Sequence, residues 1–400
     1  MRLSPLEPRY LVVAVIVVAA VACGPADPGP AVQRVDEGGV EVVTSVRPAW
    51  GDGAGWELSA GPDLVIGENT DDLDYIFSYV SGAVALADGS IAAGDYASRE
   101  LRFFDREGRF LQAAGGEGQG PGELGVIADT LRCGDETLFV LDGMRYEINV
   151  VSPDGDFGRR YPYAVNAGVA LLFPLYCNGD GQLLGLDFGG QLTGDRGTGF
   201  HRTYAHVWLL DAQGFAQQDF GEFAGVELFE FDGRTSRHPF GKRVALELGD
   251  DAAFIGTADD FEVEVWSLDG ELVRRIRRPF EDAAIAQEDF DRYVDIEAAI
   301  RQSDRVEEFR MRTSAMPLPD TFPAYETFVL DADGNLWVQH FPRPGEAQAT
   351  WSVFDSTGAW LGELNAPGGL RITDIGAEYV LGIFRDEFGQ ESVRRYALRR

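Results

Sequence analysis

Histidine is the side chain that most often binds metals and transfers protons near neutral pH, and this chain contains four: His201, His206, His238 and His340. None of them belongs to a His-Glu-x-x-His motif, which would place two metal ligands on one helix face. The sequence also lacks the Gly-x-Ser-x-Gly motif that exposes a serine nucleophile. A metal or hydrolase site would therefore have to be assembled from segments that lie far apart in the chain.

A second candidate is the one basic cluster of this acidic chain. It contains Arg237, His238, Arg243 and Lys242, which is the only lysine among 400 residues. Guanidinium and ammonium groups bind anions, so the cluster predicts a contact with an anion or with a partner. The alternative is a solvated connecting loop, since most charge runs face water.

A third candidate begins at Asp331, because residues 331–335 are similar to the opening of a calcium-binding loop. Leu336 occupies the position at which that loop needs glycine, and the final glutamate is missing. We interpret the segment as a turn between strands. The sequence predicts no cofactor, and zinc or calcium remains the alternative.

The N-terminus has the layout of a secretory signal peptide over residues 1–22. Its apolar core is too short to span a membrane, which takes about 20 residues. Residues 20–23, Ala-Val-Ala-Cys, resemble the lipobox of bacterial lipoproteins, with alanine where leucine is usual. The resemblance implies a lipid on Cys23, and the alternative is ordinary cleavage near Ala22.

The lipid would hold the folded body at a bacterial membrane. Residues 23–55 begin with a Pro- and Gly-rich stretch, which predicts a flexible tether. Gly24 stands where aspartate is associated with inner-membrane retention in some bacteria. We therefore expect a cell-envelope protein of the outer membrane, facing the periplasm or the exterior.

The charge of the chain restricts its partners. It has 66 acidic and 34 basic residues, for a net charge of −32. Such a surface repels nucleic acid and anionic lipid. We therefore expect that the protein does not bind nucleic acid. We expect it to contact a membrane through the lipid anchor and to bind an unidentified protein or small-molecule ligand.

The rest of the chain repeats one pattern of four short apolar strands joined by turns with Asp or Gly. The copies cover residues 83–111, 138–155, 181–214, 263–270 and 328–358, and an incomplete sixth covers 371–398. Glycine accepts positive φ, and aspartate hydrogen-bonds to its own backbone, so Asp-Gly suits these turns. Four strands in about 40 to 60 residues are typical of a propeller blade.

The predicted fold is therefore all-β: a six-bladed β-propeller of four-stranded antiparallel blades over residues 56–400. The sixth copy offers only three strands. A strand within 56–67 would complete that last blade, which leaves no sheet edge unpaired. Five blades is the alternative count.

Residues 88–111 and the Gly-rich 116–124 resemble the NHL-type repeat, especially that of bacterial six-bladed β-propeller lipoproteins. The resemblance implies the fold but not one function, because NHL propellers include lyases, lactonase-like enzymes, receptors and scaffolds. Amidating lyases of this fold hold zinc with side chains from separate blades. By that resemblance, the metal alternative would use His206, His238 and His340.

Cys133 and Cys177 both lie where an apolar strand runs into a turn. Equivalent positions in consecutive repeats are neighbours, and an exported chain keeps its disulfides. The sequence leaves two alternatives open, a disulfide or two buried free thiols.

One segment, about 281–316, departs from the β pattern. Asp282 could cap a helix, and Phe290, Tyr293 and Val294 recur at helical spacing. We predict a helical insertion between blades 4 and 5 that packs over one mouth of the ring. It would be a lid over a site or a plug over apolar surface, and we favour the plug.

Together these features predict a lipid-tethered propeller that acts as a binding or interaction module for an unidentified ligand or protein. The sequence shows no nucleophile motif and no metal-ligand spacing, which argues against catalysis. The alternative is a metal-assisted hydrolase or lyase with its site at the axial mouth.

Overall fold

The computed structural model describes residues 30–51, 55–68, 71–134, 137–163, 172–188, 197–301 and 303–400. The predicted signal peptide, Cys23 and the first residues of the predicted tether lie outside this part. The described residues are mostly β structure, with 28 strands and two helices. None of these helices is long and apolar enough to cross a membrane.

Most strands are short, but β15 has 12 residues and β16 has 16. In chain order they are β1 (Val32–Glu37), β2 (Val40–Ser45), β3 (Glu57–Leu58), β4 (Leu64–Ile66), β5 (Val80–Ala85), β6 (Ile91–Asp95), β7 (Glu100–Phe104), β8 (Phe110–Gly115), β9 (Ile127–Cys133), β10 (Thr137–Asp142), β11 (Glu147–Val151), β12 (Phe157–Pro162), β13 (Leu172–Cys177), β14 (Leu183–Asp187), β15 (Gly199–Leu210), β16 (Ala216–Phe231), β17 (Arg234–Arg237), β18 (Ala245–Leu248), β19 (Ala252–Gly256), β20 (Glu262–Ser267), β21 (Leu272–Arg277), β22 (Thr327–Leu330), β23 (Leu336–Gln339), β24 (Gln348–Phe354), β25 (Trp360–Pro367), β26 (Leu370–Ile375), β27 (Tyr379–Arg385) and β28 (Glu391–Arg399).

The described strands form six sheets, in which neighbouring strands follow one another in the chain except where β2 pairs with β21 and where β3 and β4 pair with β28. All named strand pairs are antiparallel except β2–β21, which is parallel. Sheet A contains β5 to β8, sheet B β9 to β12, sheet C β13 to β17, and sheet E β22 to β25. Sheet D contains β18 to β21, with β2 and β1 beyond β21. Sheet F contains β26 to β28, and β28 also pairs with β3 and β4.

The first strands of the six sheets contact one another in a closed circle. β5 contacts β9, β9 contacts β13, β13 contacts β18, β18 contacts β22, β22 contacts β26, and β26 contacts β5 again. Apolar clusters fill the spaces between adjacent sheets; one joins Phe103 of sheet A to Leu138 and Val140 of sheet B. Each sheet thus buries its apolar faces against its neighbours. Removing this apolar surface from water stabilises the fold.

The two ends of the sheet-forming chain meet in sheet F. Val393 of β28 pairs with Ile66 of β4, and Leu398 pairs with Leu58 of β3. The sequence predicted this strand within residues 56–67. It covers the outer edge of β28, which would otherwise expose unpaired N–H and C=O groups.

The predicted flexible tether over 23–55 is wrong for residues 32–45. β1 and β2 form an antiparallel hairpin, and β2 runs parallel to β21 along the edge of sheet D. Val42 and Val43 are buried there. The sequence prediction missed the hairpin because β1 is exposed and polar, and because the partner strand of β2 lies more than 200 residues away in the chain.

The turn at Asp331 joins β22 to β23, as we interpreted it. Its carboxylate accepts hydrogen bonds from the backbone N–H of Asp333 at 3.0 Å and of Asn335 at 2.9 Å, and Gly334 has a φ of 78°. The carboxylate also accepts from Arg400 at 2.8 Å. Its oxygens are therefore committed to the turn and to the C-terminus.

Two helices, α1 (Gln287–Ala299) and α2 (Ser303–Ser314), lie between sheets D and E in the chain. The predicted cap at Asp282 is wrong, because α1 has its N-cap at Ala286. Residues 283–285 are extended and pair with 320–322. The helix begins where the Asp289 carboxylate can accept the N-cap N–H, at 3.1 Å.

Candidate functional site

A cavity of about 830 Å³ lies inside the circle of first strands. Each of the six sheets contributes a wall residue from or next to its first strand. These include Ala83 of β5, Arg132 of β9, Tyr176 of β13, Glu247 of β18, Thr327 of β22 and Arg371 of β26. A ligand in this central cavity would contact side chains that are remote in sequence.

Arg132 is held in the wall by a buried acid. Its Nη2 donates to Asp374 Oδ1 at 3.1 Å, and its Nη1 donates to the carbonyl of Ala85 at 3.1 Å. The side chain of Asp374 is only 7% exposed, whereas that of Arg132 is 39% exposed. Asp374 therefore positions the guanidinium, and Arg132 presents it to the cavity.

Asp374 is itself fixed by several donors. Its Oδ2 accepts from the backbone N–H of Ala85 at 3.0 Å and from the hydroxyl of Tyr379 at 3.2 Å. Burial raises the pKa of this carboxyl, while the charge of Arg132 opposes the rise. Through these bonds Asp374 connects sheets A, B and F at the cavity.

Asp129 and Arg371 are a second acid and base in the wall. Burial raises the pKa of Asp129 to about 6, although the positive charge of Arg371 acts to lower it. Arg371 donates to the carbonyls of Val80 at 3.1 Å and Ser81 at 3.2 Å, so it binds β26 to β5. Asp129 is thus a carboxyl that changes charge in mildly acidic solution.

The cavity wall also carries uncharged donors, which lie on sheets C and D. Burial raises the pKa of Glu247 to about 8, against a smaller effect of hydrogen bonds from the backbone N–H of Leu248 and Leu330. Burial also raises the pKa of Tyr176, and nearby Glu247 adds to the rise. Near neutral pH both groups keep their protons, so each offers an O–H donor.

The rim on one side is formed by α1. Tyr293 and Ile296 of this helix border the cavity, while Phe290 and Val294 pack on Phe240 in an apolar cluster. α1 therefore covers apolar surface, as a plug does, and also shapes the opening of the cavity.

The four residues of the predicted basic cluster do not form one site, because they have different partners and border different cavities. Lys242 Nζ lies 3.2 Å from Asp259 Oδ1, and Arg243 is paired with Glu326. His238 is buried, and its Nδ1 accepts from the backbone N–H of Phe240 at 3.1 Å. Only Arg243 borders the central cavity, and Arg237 borders a separate cleft.

The structure does not bring His206, His238 and His340 together. His206 is 43% exposed on β15, beside Asp219 and Glu222, each with its nearest oxygen at 3.6 Å. In the part of the chain that the structure describes, no three His, Cys, Asp or Glu side chains form a group that could hold a metal ion.

His238 and His340 occupy two separate places, of which the first is buried and the second half-buried. His238 stacks on Phe290 beneath α1, with ring centroids 6.1 Å apart. His340 lies with its Nε2 2.8 Å from the hydroxyl of Ser352. Burial lowers the pKa of each to about 4, and the charge of Arg278 adds to the effect at His340. Both rings are therefore neutral at ordinary pH.

A disulfide joins Cys133 and Cys177, with their Cα atoms 5.4 Å apart. It connects the ends of β9 and β13, two neighbouring strands of the circle. Cys177 also lines the central cavity.

Sequence reasoning missed the charged wall of the cavity. Asp129, Glu247 and Arg371 each lie on the first strand of a sheet, and β18 is apolar apart from Glu247. A charged side chain on a largely buried strand is costly unless it is paired or has a function. The available signal was a charged residue within the first strand of several sheets, although β9 and β26 also contain other polar residues.

No known family model matches the chain, and no curated protein matches it. Solved structures that align with it include a putative exported protein from Bacteroides fragilis, at 14% identity over 90% of this chain and 98% of that chain, with a TM-score of 0.46. A DUF4221 family member from Bacteroides vulgatus aligns at 11% identity over 86% and 98%, with a TM-score of 0.47. Virginiamycin B lyase from Staphylococcus aureus aligns at 9% identity over 86% and 99%, with a TM-score of 0.41. These neighbours are propeller-like proteins; likenesses of this degree assign neither a family nor an activity to the chain.

Proposed function

We propose that the chain is a six-bladed β-propeller with NHL-type blades that binds a small polar ligand in its central cavity. Sheets A to F would be the six blades, with β3 and β4 completing the last and the helices inserted between blades 4 and 5. The closed circle of first strands supports this arrangement. So does the pairing of β28 with β3 and β4.

The observation that carries the binding function is the charged wall of the cavity. Arg132 is held by the buried Asp374, yet 39% of its side chain is exposed. Two of the five N–H donors of this guanidinium bond to Ala85 and Asp374, and the other three remain for a carboxylate or similar group. The uncharged O–H donors of Glu247 and Tyr176 lie in the same cavity wall. The cavity therefore suits a small molecule that has a carboxylate together with hydroxyl or carbonyl groups.

A ligand screen by thermal shift tests this function. The probes are amino acids, dipeptides, hydroxy acids and sugar acids, each containing a carboxylate. We expect a subset to raise the melting temperature, and Arg132→Gln to weaken their binding about tenfold or more, as for loss of a charge-assisted bond. The matched control is Arg109→Gln, whose side chain is 74% exposed on sheet A.

Two results would contradict the binding proposal. One is that none of these probes shifts the melting temperature; the other is that Arg132→Gln and Arg109→Gln bind the hits equally well. Metal analysis of the purified protein tests the enzyme alternative. One zinc or calcium per chain, lost on replacing His238 or His340, would favour a metal-assisted hydrolase or lyase instead.

We also propose that the protein is an exported lipoprotein of the bacterial outer membrane, anchored through Cys23. The support is the signal-peptide layout and the lipobox-like residues 20–23. Metabolic labelling with a radioactive fatty acid should mark the wild-type chain and not Cys23→Ser. Equal labelling of the wild-type chain and of Cys23→Ser would contradict lipid attachment at Cys23.

A further inference from the structure

A second cavity, of about 850 Å³, lies between the β16–β17 hairpin and the two helices. Its wall contains five arginines and one carboxylate: Arg234, Arg237, Arg301, Arg305, Arg312 and Glu308. The whole chain has 66 acidic and 34 basic residues. This arginine cleft therefore reverses the charge balance of the rest of the protein.

Two of the five arginines are already neutralised. Arg234 forms an ion pair with Glu308. Arg301 Nη1 lies 2.6 Å from Glu297 Oε2, and its guanidinium lies over the ring of Phe309, 3.8 Å from the centroid. These contacts hold the wall of the cleft together without a ligand.

The other three arginines of the cleft are Arg237, Arg305 and Arg312. Within the described residues, no carboxylate oxygen lies within 4.0 Å of any of them. Arg312 donates instead to the neutral hydroxyl of Ser236, which fixes its guanidinium beside the hairpin. In a chain with an excess of acids, three arginines of one cleft that form no ion pair with the described residues indicate a place for an external anion.

The charges around Arg237 are consistent with an anion site. Arg237 is exposed on β17. Partial burial of its guanidinium and the nearby positive charge of Arg243 lower the pKa of Arg237, whereas the negative charge of Glu326 opposes that change. Neighbouring cations repel each other, and an anion beside them relieves that repulsion.

We propose that the arginine cleft binds the phosphate group of a soluble organic ligand. Each guanidinium offers five N–H donors, and three such groups line the cleft. A phosphate group has more oxygens to accept these hydrogen bonds than the two of a single carboxylate. Tyr293 and Met316 add apolar wall, and the volume leaves room for the organic part of the ligand. A phospholipid headgroup has the same chemistry, but the net charge of −32 opposes approach to an anionic membrane.

The cleft is distinct from the central cavity. Pro239 and Tyr293 line both, but none of the five arginines of the cleft lines the central cavity. Binding in the cleft therefore does not depend on the proposed function, and each site has its own variants.

Isothermal titration of the full chain with inorganic pyrophosphate tests the proposal. We expect saturable binding in about 50 mM NaCl that weakens when NaCl is raised to about 500 mM, because salt screens the charges. Arg237→Gln with Arg312→Gln should weaken binding about tenfold or more, since charge-assisted bonds are lost. The control Arg109→Gln, remote on sheet A, should bind like wild type, and so should Glu247→Gln in the central cavity.

If the double variant does not fold, the single Arg305→Gln replaces it, because Arg305 is exposed on α2; it should weaken binding several-fold. The proposal is overturned if pyrophosphate does not bind, or if these variants bind as tightly as Arg109→Gln. Equal affinity for succinate would overturn the phosphate assignment. Binding to phosphatidylglycerol vesicles without binding to pyrophosphate would show that the phosphate belongs to a lipid headgroup and not to a soluble ligand.

Discussion

At the scale of single residues, the carboxyl of Glu247 makes stability depend on pH. Its pKa rises from 4.5 to about 8 because the carboxyl is removed from water. Between these values the unfolded chain has lost this proton and the folded chain retains it. The folded state therefore binds more protons, and the free energy of unfolding falls as the pH rises through this window.

Glu247→Gln should remove the fall in the free energy of unfolding at high pH, because the glutamine side chain does not ionise. Its amide oxygen still accepts the 2.9 Å hydrogen bond from the backbone N–H of Leu248. We expect the variant to be more stable than wild type by about 1 to 3 kcal/mol at about pH 8, and by little at about pH 5. Urea unfolding at both pH values measures this. Glu378→Gln, at an exposed position, is the control; a gain independent of pH would contradict the assignment.

Residue-scale prediction from the sequence succeeded where the signal was local. The turn at Asp331 could be read from its own five residues, and the neighbouring positions of Cys133 and Cys177 from equal places in two repeats. The charged wall of the central cavity could not be predicted from the sequence. Whether Asp129 or Arg371 faces the cavity depends on the register and twist of its strand, which distant partners determine.

At the scale of elements, the disulfide joins the first strands of sheets B and C. It closes a loop of 44 residues, and limiting the unfolded chain in this way stabilises by about 2 to 4 kcal/mol. In a Cys23→Ser background, replacing Cys133 and Cys177 by serine should lower the free energy of urea unfolding by that amount. Reductant should reproduce the loss in the parent protein and leave the serine variant unchanged. Two reactive thiols in the unreduced, denatured parent would show that the bridge does not form.

The contact between sheets A and B requires glycine at residue 82. A Cβ there would lie 2.6 Å from Asp129 Oδ1, and 2.8 and 2.9 Å from the backbone N and O of Thr130. Backbone atoms cannot move aside, so Gly82→Ala should destabilise the protein by about 1 to 3 kcal/mol. Gly61→Ala is the control, because a Cβ at residue 61 meets nothing within 4 Å. Thermal unfolding compares them, and equal melting temperatures would contradict the close approach.

The elements that sequence analysis misjudged depend on distant partners. Residues 32–45 show little apolar alternation in β1, and β2 becomes a strand only because the edge of β21 is available. The start of α1 moved from the predicted Asp282 to Ala286 because residues 283–285 pair with 320–322. In both places a tertiary contact decided a local structure.

At the scale of the whole molecule, sheet F is built from both ends of the sheet-forming chain. The apolar cluster around Ile66 of β4 includes Ile383 and Val393 of sheet F and Phe104 of sheet A. The short strand β4 thus stabilises sheet F and the contact between sheets F and A. The sequence predicted this closure because the sixth repeat lacked a strand and an unassigned strand preceded the first repeat.

Ile66→Ala tests this closure, because Ile66 is fully buried between sheets F and A whereas its neighbour Val65 is 39% exposed. Removing the buried methyl and methylene groups should lower the free energy of unfolding by about 2 to 5 kcal/mol, and Val65→Ala should lower it by less than about 1 kcal/mol. Hydrogen exchange should show faster opening of β28 and β5 in Ile66→Ala, since both depend on that cluster, with smaller changes in β14 and β19, on sheets C and D, which contribute no residue to it. Equal exchange of β28 in the two variants would mean that β4 does not close the ring.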